Sequence, residues 1–506
     1  MSYRKKVKRN NISRQSGNNE HAPFIHEKLA DNIDEIHHIL GNSSDLQIKV
    51  FQIDPSNSVH ASLVYLKGLS EEQSIDDFIA TIALRNQTNI KEHLDQLPIG
   101  DLEKSSDWGS VIQSILSGDL VLLIDGIDNG FILETDKQNF RSVEESKAEP
   151  VVRGPKESFT ETLEVNVAMI RRKLKDPNLQ IKSTKIGRST NTDVAVLHLK
   201  GIANEKIVQE VNDRLDQIDI DGIFESGNIE ELIEDKTFTP FPTMFNSEKP
   251  DVIAAGLLEG KIAIIIDGTP FVLLVPALFI QFFQSAEDYY QRWDISSLLR
   301  LLRVFSFFIS LLGPAFYIAL TTFHHEMLPT NLLISLAAQR EGIPFPAIFE
   351  AILMEVTLEI LREAGIRLPV AVGQTISIVG ALVIGQAAVE AGFVSPAMVI
   401  VVSITAISNF IIPSYNLAIS IRILRFLFML SAATFGLYGI ALGLFALSLH
   451  LCSLRSFGVP YMSPLAPYNN QDQKDSLIRM PQNYLFTRPK LIQQNNTVRQ
   501  NAKSSK

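Results

Sequence analysis

The spacing of apolar and polar positions changes character near residue 300. Residues 304–323, 370–389, 391–421 and 426–449 contain no Asp, Glu, Lys or Arg, whereas residues 1–303 contain no stretch of membrane-spanning quality. At a rise of about 1.5 Å per residue, each run is long enough to cross about 30 Å of hydrocarbon. The pattern predicts a soluble region of α/β (or α+β) class followed by an α-helical polytopic membrane domain. Spans are predicted near 304–323, 370–389, 393–413 and 426–449.

Within the first part, short β-rich runs (Leu46–Ile53, Val121–Ile124, Val194–Leu199, Ile262–Ile266) alternate with helical patterns such as Phe159–Leu174. Two segments resemble each other. Val111–Leu133 reads VIQSILSGDLVLLIDGIDNGFIL and Ile253–Leu273 reads IAAGLLEGKIAIIIDGTPFVL. Gly118, Asp125 and Gly126 match Gly260, Asp267 and Gly268 at a constant offset. Each copy predicts a helix ending at Gly, a buried strand, an Asp-Gly turn that needs positive φ, and a returning strand. Either two hairpins look alike by chance or the soluble region holds two related subdomains, 26–134 and 135–275. On the second reading, the apolar run from Ile262 is a hairpin and not a first span.

Residues 276–303 mix Phe279, Phe282, Phe283, Tyr289, Tyr290 and Trp293 with Glu287, Asp288, Arg292, Arg300 and Arg303. Rings among charges suit a headgroup layer, so Phe282, Tyr289, Tyr290 and Trp293 are expected as interfacial anchors of an elbow before the first span. An amphipathic helix packed on the soluble region is the other reading. The membrane domain is placed at 304–452. Residues 1–25, rich in basic and polar side chains, and 453–506 are expected to be largely disordered tails.

Charge sharpens this division. Residues 1–303 carry 33 basic and 47 acidic residues, and 304–506 carry 13 and 9. An acidic soluble half speaks against nucleic acid as a partner. The N-terminus lacks the apolar run of a secretory signal, and the tail after Leu451 has eight basic and two acidic residues. Both features place the two ends in the cytoplasm, which requires an even number of spans. Four spans satisfy it, but they leave Arg422 and Arg425 in an outside loop, against the usual bias. The single cysteine, Cys452, permits no disulfide framework within one chain. No Walker A, GxGxxG, GxSxG or HExxH motif is present, and no catalytic, cofactor or metal residues are expected.

The segment Pro346–Ala364, PAIFEAILMEVTLEILREA, is the informative one. Spacing by four puts Glu355, Glu359 and Glu363 along one helical face, with Glu350 about 140° from Glu355. Stacked carboxylates repel unless water, cations or arginines offset them, and Arg362 and Arg367 are near. The face is either the solvated side of an amphipathic helix or the acidic lining of a cation path. Polar Gln374, Gln386, Ser403, Ser408 and Asn409 inside the spans should face other helices or a wet cavity. Gly439 and Gly443 form a GxxxG that points to close helix contact.

The stretches Val152–Leu174, Ile266–Arg292 and Ile343–Pro369, in this order and spacing, resemble the A subunit of GerA-type spore germination receptors over roughly 45–460. The resemblance implies an inner spore membrane protein with no enzyme activity. It would work with a transporter-like B subunit and a lipoprotein C subunit, sense nutrients and trigger germination. It also implies a homo-oligomer in membrane lipid that conducts ions. A related spore membrane protein of the same superfamily, acting as a non-conducting scaffold, is the alternative; a secondary transporter is a weaker one. Arg153, Glu157, Glu161 and Asn166, around the RGP turn, are read either as a rigid entry to a helix or as a subunit-contact or relay surface.

Overall fold

The computed structural model describes residues 24–54, 59–70, 75, 102–134, 149–367, 385–490, 492 and 496–499. Most of the expected span at 370–389 and nearly all of the N-terminal tail lie outside these residues. The chain divides into two units, residues 1–139 with 175–178, and residues 140–174 with 179–506. An N-terminal α/β region with antiparallel sheets precedes a helical C-terminal region with apolar helices.

The first unit holds α1 (Leu29–Leu40), β1 (Leu46–Asp54), β2 (Val59–Leu66), β3 (Leu102–Ser105), α2 (Trp108–Ser117), β4 (Leu120–Ile124) and β5 (Gly130–Leu133). Its sheet has the order β1-β2-β4-β5-β3, with every described pairing antiparallel. The second unit begins with α3 (Leu163–Lys173), β6 (Leu179–Ile186), β7 (Thr192–Leu199), α4 (Glu205–Asp216), α5 (Ser226–Ile233), β8 (Phe245–Ser247), α6 (Pro250–Leu258), β9 (Ile262–Ile266) and β10 (Val272–Val275). Its order, β6-β7-β9-β10-β8, is the same topology.

The likeness extends to single hydrogen bonds. Asp125 Oδ1 accepts from Leu29 N at 2.9 Å, and Asp267 Oδ1 accepts from Leu163 N at 2.9 Å. Gly126 N donates to Glu27 O, and Gly268 N to Glu161 O, both at 2.7 Å. Each Asp therefore satisfies an orphan N–H at a helix start, where a negative charge also meets the helix dipole favourably. Each Gly supplies the positive φ of the turn (79° and 92°).

Beyond β10 the chain forms α7 (Glu287–Tyr290), α8 (Trp293–Thr322), α9 (Thr330–Arg340), α10 (Ala347–Arg367), α11 (Gly385–Glu390), α12 (Pro396–Phe410) and α13 (Tyr415–Ser453). The 276–303 segment differs from the expected elbow. Phe279, Phe282 and Phe283 are buried against protein, with Phe279 and Phe283 edge-on to Phe307 of α8. Tyr289 donates to Asp475 at 2.9 Å, and Tyr290 donates to Asp251. Burial, and then the Asp475 carboxylate, hold the Tyr289 phenol far above its usual range, so it stays a neutral donor. Of the four expected anchors, Trp293 is left exposed.

Charge decides why this segment turns inward. Asp288 is buried and accepts from Arg300 Nε at 3.0 Å and Arg303 Nη1 at 2.7 and 2.9 Å. Arg300 also reaches Asp475 at 2.8 Å, and Arg479 donates to the Asp288 carbonyl at 2.6 Å. The Tyr289 ring lies under both Arg300 and Arg479, 5.5 and 5.3 Å from its centre. The described tail residues 455–490 are accordingly packed, where composition led to an expectation of disorder. Ser456 Oγ donates to Thr243 O at 2.7 Å, Phe279 N donates to Tyr461 O at 2.8 Å, and the Tyr461 side chain is fully buried.

The last helix also departs from expectation. Gly436 has φ 61° and ψ −141°, a backbone break inside α13. A Cβ at Gly439 would strike Ser431, and one at Gly443 would meet the Phe428 ring at 2.7 Å. Those pairs touch when residues 415–435 and 437–453 fold back on each other as two arms. The expected single span at 426–449 is thus a hairpin tip and its flanks, and the GxxxG lets the arms approach. Arg422 and Arg425 belong to the first arm and not to a loop. Both arms return to one place: Ser420 donates to Pro240 O, and His450 Nε2 lies 2.9 Å from Thr239 Oγ1. The tip meets the far end of α8, where His324 and Phe323 fill the space beside Gly436.

Three substitutions test this packing. Gly436→Ala adds a side chain at positive φ with His324 2.7 Å from its Cβ. It should lower stability by about 1–3 kcal/mol. Gly342→Ala, with open space around it, should leave the thermal midpoint of the detergent-purified protein unchanged. Asp288→Ala removes the partner of two buried guanidinium groups and should cost about 3–5 kcal/mol in the same measurement.

Candidate functional site

Helix α10 carries the four carboxylates singled out above, and each of them faces an arginine. Glu350 is fully buried; Ser395 N donates to its Oε2 at 3.0 Å, and Arg340 Nε lies 3.3 Å from Oε1. Glu355 Oε2 accepts from Arg425 Nη1 at 2.5 Å. Its other oxygen, Oε1, is buried without a hydrogen bond among the described residues. Glu359 pairs with Arg422, and Arg362 stands 3.5 Å from its second oxygen. Glu363 pairs with Arg367 at 2.6 Å.

Helix direction orders these pairs. Ser310 of α8 accepts from Arg425 through its carbonyl at 2.7 Å and its hydroxyl at 2.9 Å, and that hydroxyl also donates to Asn409 Oδ1 at 3.3 Å. Tyr317, further along α8, lies 3.2 Å from Ser395 at the start of α12. Helices α8 and the first arm of α13 therefore run away from the Thr239–Pro240 end, which we call the base. Helices α10 and α12 run back towards it. Along α10, Glu350 is furthest from the base, and Glu355, Glu359 and Glu363 approach it in turn. The face opens in the same direction: Glu350 and Glu355 are buried, while the side chains of Glu359 and Glu363 are 49% and 61% exposed.

Arginine explains how this helix survives beside apolar neighbours. A carboxylate removed from water is tolerated when a guanidinium and further donors replace its hydration. Arg425 meets that need for Glu355 while its own remaining donors are satisfied by Ser310. Arg362 also lies over the Phe410 ring, 5.3 Å from its centre. The i+4 spacing found the carboxylates. It could not find Arg340, Ser395, Arg422 and Arg425, which come from other helices.

The RGP residues do not form one site. Arg153 is exposed, and its backbone N donates to Glu287 Oε1 at 3.3 Å. Gly154 packs on the Tyr290 ring. Glu157 meets Lys173 at 3.3 Å and Arg172 at 3.7 Å. The Glu161 side chain is exposed, while its carbonyl takes the Gly268 bond described above. Asn166 is buried and closes a ring with Thr160, accepting from its N at 2.8 Å and donating to its O at 2.6 Å. Asn32 makes the same two bonds to His26, at 2.8 and 2.7 Å, so the arrangement belongs to the repeated fold.

A family model described as Bacillus/Clostridium GerA spore germination protein matches residues 34–491. Spore germination protein KA of Bacillus subtilis (strain 168) is 50% identical over 487 residues, spanning 95% of this chain and 90% of that protein. Spore germination protein GerLA of Bacillus cereus is 42% identical over 472 residues, spanning 92% and 96%. Among solved structures, the N-terminal domain of the A subunit of the Bacillus megaterium spore germinant receptor GerK3 is 41% identical. It covers 51% of this chain and 98% of that chain, with a TM-score of 0.41. A match of this extent leaves one assignment: the chain belongs to the GerA family of spore germination proteins.

Proposed function

We propose that this chain is the A subunit of a spore nutrient germinant receptor, embedded in the spore's inner membrane. It works there with a transporter-like B subunit and a lipoprotein C subunit, and copies of the chain assemble around a cation path. The carrying observation is the graded acidic face of α10. Half-exposed Glu359 and Glu363 sit on a bundle that also exposes the apolar side chains of Ile423, Leu427, Leu430 and Phe445. Charges facing lipid are costly, so this face belongs against water or a second copy. The buried Glu350 and Glu355 continue the line inward. Nutrient-driven change in the soluble region reaches the helices through α7 and the Asp288 cluster.

The return of both α13 arms to the base supports a multi-pass arrangement with the soluble region and the tail on the same, cytoplasmic side. The eight basic residues after Leu451 favour that orientation. The arginine on every carboxylate favours a second reading, in which the pairs only hold helices together and the chain is a non-conducting scaffold for the B and C subunits.

Purified chain in liposomes under a potassium gradient separates the two. At an effective dielectric of 20, a unit charge about 8 Å from a passing cation is worth roughly 2 kcal/mol. Glu359→Gln and Glu363→Gln should therefore each slow flux by up to about thirtyfold while the fold persists. Flux unchanged in both variants sinks the acidic path. No flux at any oligomeric state, together with loss of the B and C subunits from membranes of cells lacking this chain, establishes the scaffold.

A further inference from the structure

The loop between α5 and β8 carries an aromatic residue with almost no protein contact. Phe238 is 94% exposed, and Lys236 beside it is exposed as well. Its neighbour Phe241 is buried, edge-on to Phe279 and 6.2 Å from the His450 ring. The residues between them are held to helices: Thr239 lies 2.9 Å from His450, and Pro240 O accepts from Ser420. The loop is thus clamped at the base ends of both α13 arms, with one ring turned in and one turned out.

The level of this clamp matters. Arg425 meets Ser310, and the first arm runs alongside α8, so Ser420 lies level with about residue 305 of α8. From there the uncharged part of α8 continues for about 26 Å to Thr322, close to the thickness of a hydrocarbon core. On the second arm, Phe445 and Leu449 are exposed immediately above His450. The outward Phe238 is therefore continuous with an apolar outer surface, at the height where that surface ends. An aromatic ring with a neighbouring lysine at such a boundary matches the chemistry of the headgroup layer, ring towards acyl chains and ammonium towards phosphate.

We propose that the 235–240 loop is a membrane anchor, with Phe238 inserted into the headgroup–acyl boundary of the bilayer that surrounds the helices. This rests on the membrane-embedded reading above. The anchor ties the second subdomain to the lipid surface at a point separate from α7 and α8, so lipid packing bears directly on that subdomain.

The test uses the full chain in liposomes with Cys452→Ser, which removes the single cysteine. Phe238→Cys or Leu449→Cys is then labelled with a bimane fluorophore. Two quenchers are compared, a lipid bearing a nitroxide near its headgroup and aqueous iodide. The expected result is loss of fluorescence at 238 to the nitroxide lipid and little to iodide. Strong iodide quenching at 238 overturns the anchor, and so does protection from both quenchers, which would mean a protein covers the loop. Label at 449 should respond to the nitroxide lipid in every case. If it does not, the membrane-embedded reading fails and the anchor fails with it.

Discussion

Asp288 is a carboxylate with almost no access to water, and guanidinium groups from α8 and from the tail converge on this residue. A buried ion alone costs several kcal/mol, and its attraction to a partner repays that only when every remaining polar atom is met. Arg300 and Arg303 reach it from α8 with more positive charge than one carboxylate balances. Asp475 and the carbonyls of Phe283, Asp475 and Ser476 take up further guanidinium donors, while Arg300 Nη2 stays buried without a hydrogen bond among the described residues. The tail is therefore required for the start of α8 to be stable where it is. Since α7 carries Asp288 and also receives the RGP loop at Glu287 and Tyr290, it links the second subdomain to the start of α8.

The same principle operates again inside the helical region, with a different outcome. Arg425, Glu355, Ser310 and Asn409 join four helices, yet one oxygen of Glu355 has no hydrogen bond among the described residues. Both carboxylate oxygens of Asp288 are met, although Arg300 Nη2 and Arg479 Nε beside it are buried without a hydrogen bond among the described residues; at Glu355 one carboxylate oxygen is not met. Towards the base, Glu359 and Glu363 keep arginine partners but lose burial, so their charge reaches the surface of the bundle. A buried carboxylate met on both oxygens holds elements together. An open line of carboxylates that ends at the surface is what cation passage needs, provided the arginines can be outcompeted or moved.

Legibility in the sequence followed the range of each interaction. Asp125-Gly126 and Asp267-Gly268 were readable because turn chemistry is local, and the two sheets share one topology. Their other role, capping helices about 100 residues away, left no local trace. The acidic face of α10 was readable from spacing by four, but Arg425 stands 70 residues on from Glu355 and looked like part of a loop. Composition misled in two places. Rings among charges describe a headgroup layer, the expectation for Tyr289, and a buried Arg–Tyr–Asp cluster equally well. The tail, poor in apolar residues, packs its few rings and aliphatic side chains (Phe457, Val459, Tyr461, Ile492) into the core beside its polar contacts, which composition does not register. Gly436 was hidden in a uniformly apolar run of the length that suits one span.

That reversal removes a conflict of charge. With a single span at 426–449, Arg422 and Arg425 fall on the side opposite the basic tail. With two arms, Arg425 sits within the bundle against Glu355 and the chain comes back to the base before Leu454. The Asp288 cluster demands the same thing for an independent reason: Asp475 and Arg479 must be on the side of α7 to reach Arg300 and Asp288. In the membrane-bound state proposed here, the number of crossings between Arg303 and Leu454 must then be even, whatever path residues 368–384 take. Charge bias in the tail and desolvation at Asp288 are separate physical effects, and in that proposed state both favour an even number of crossings.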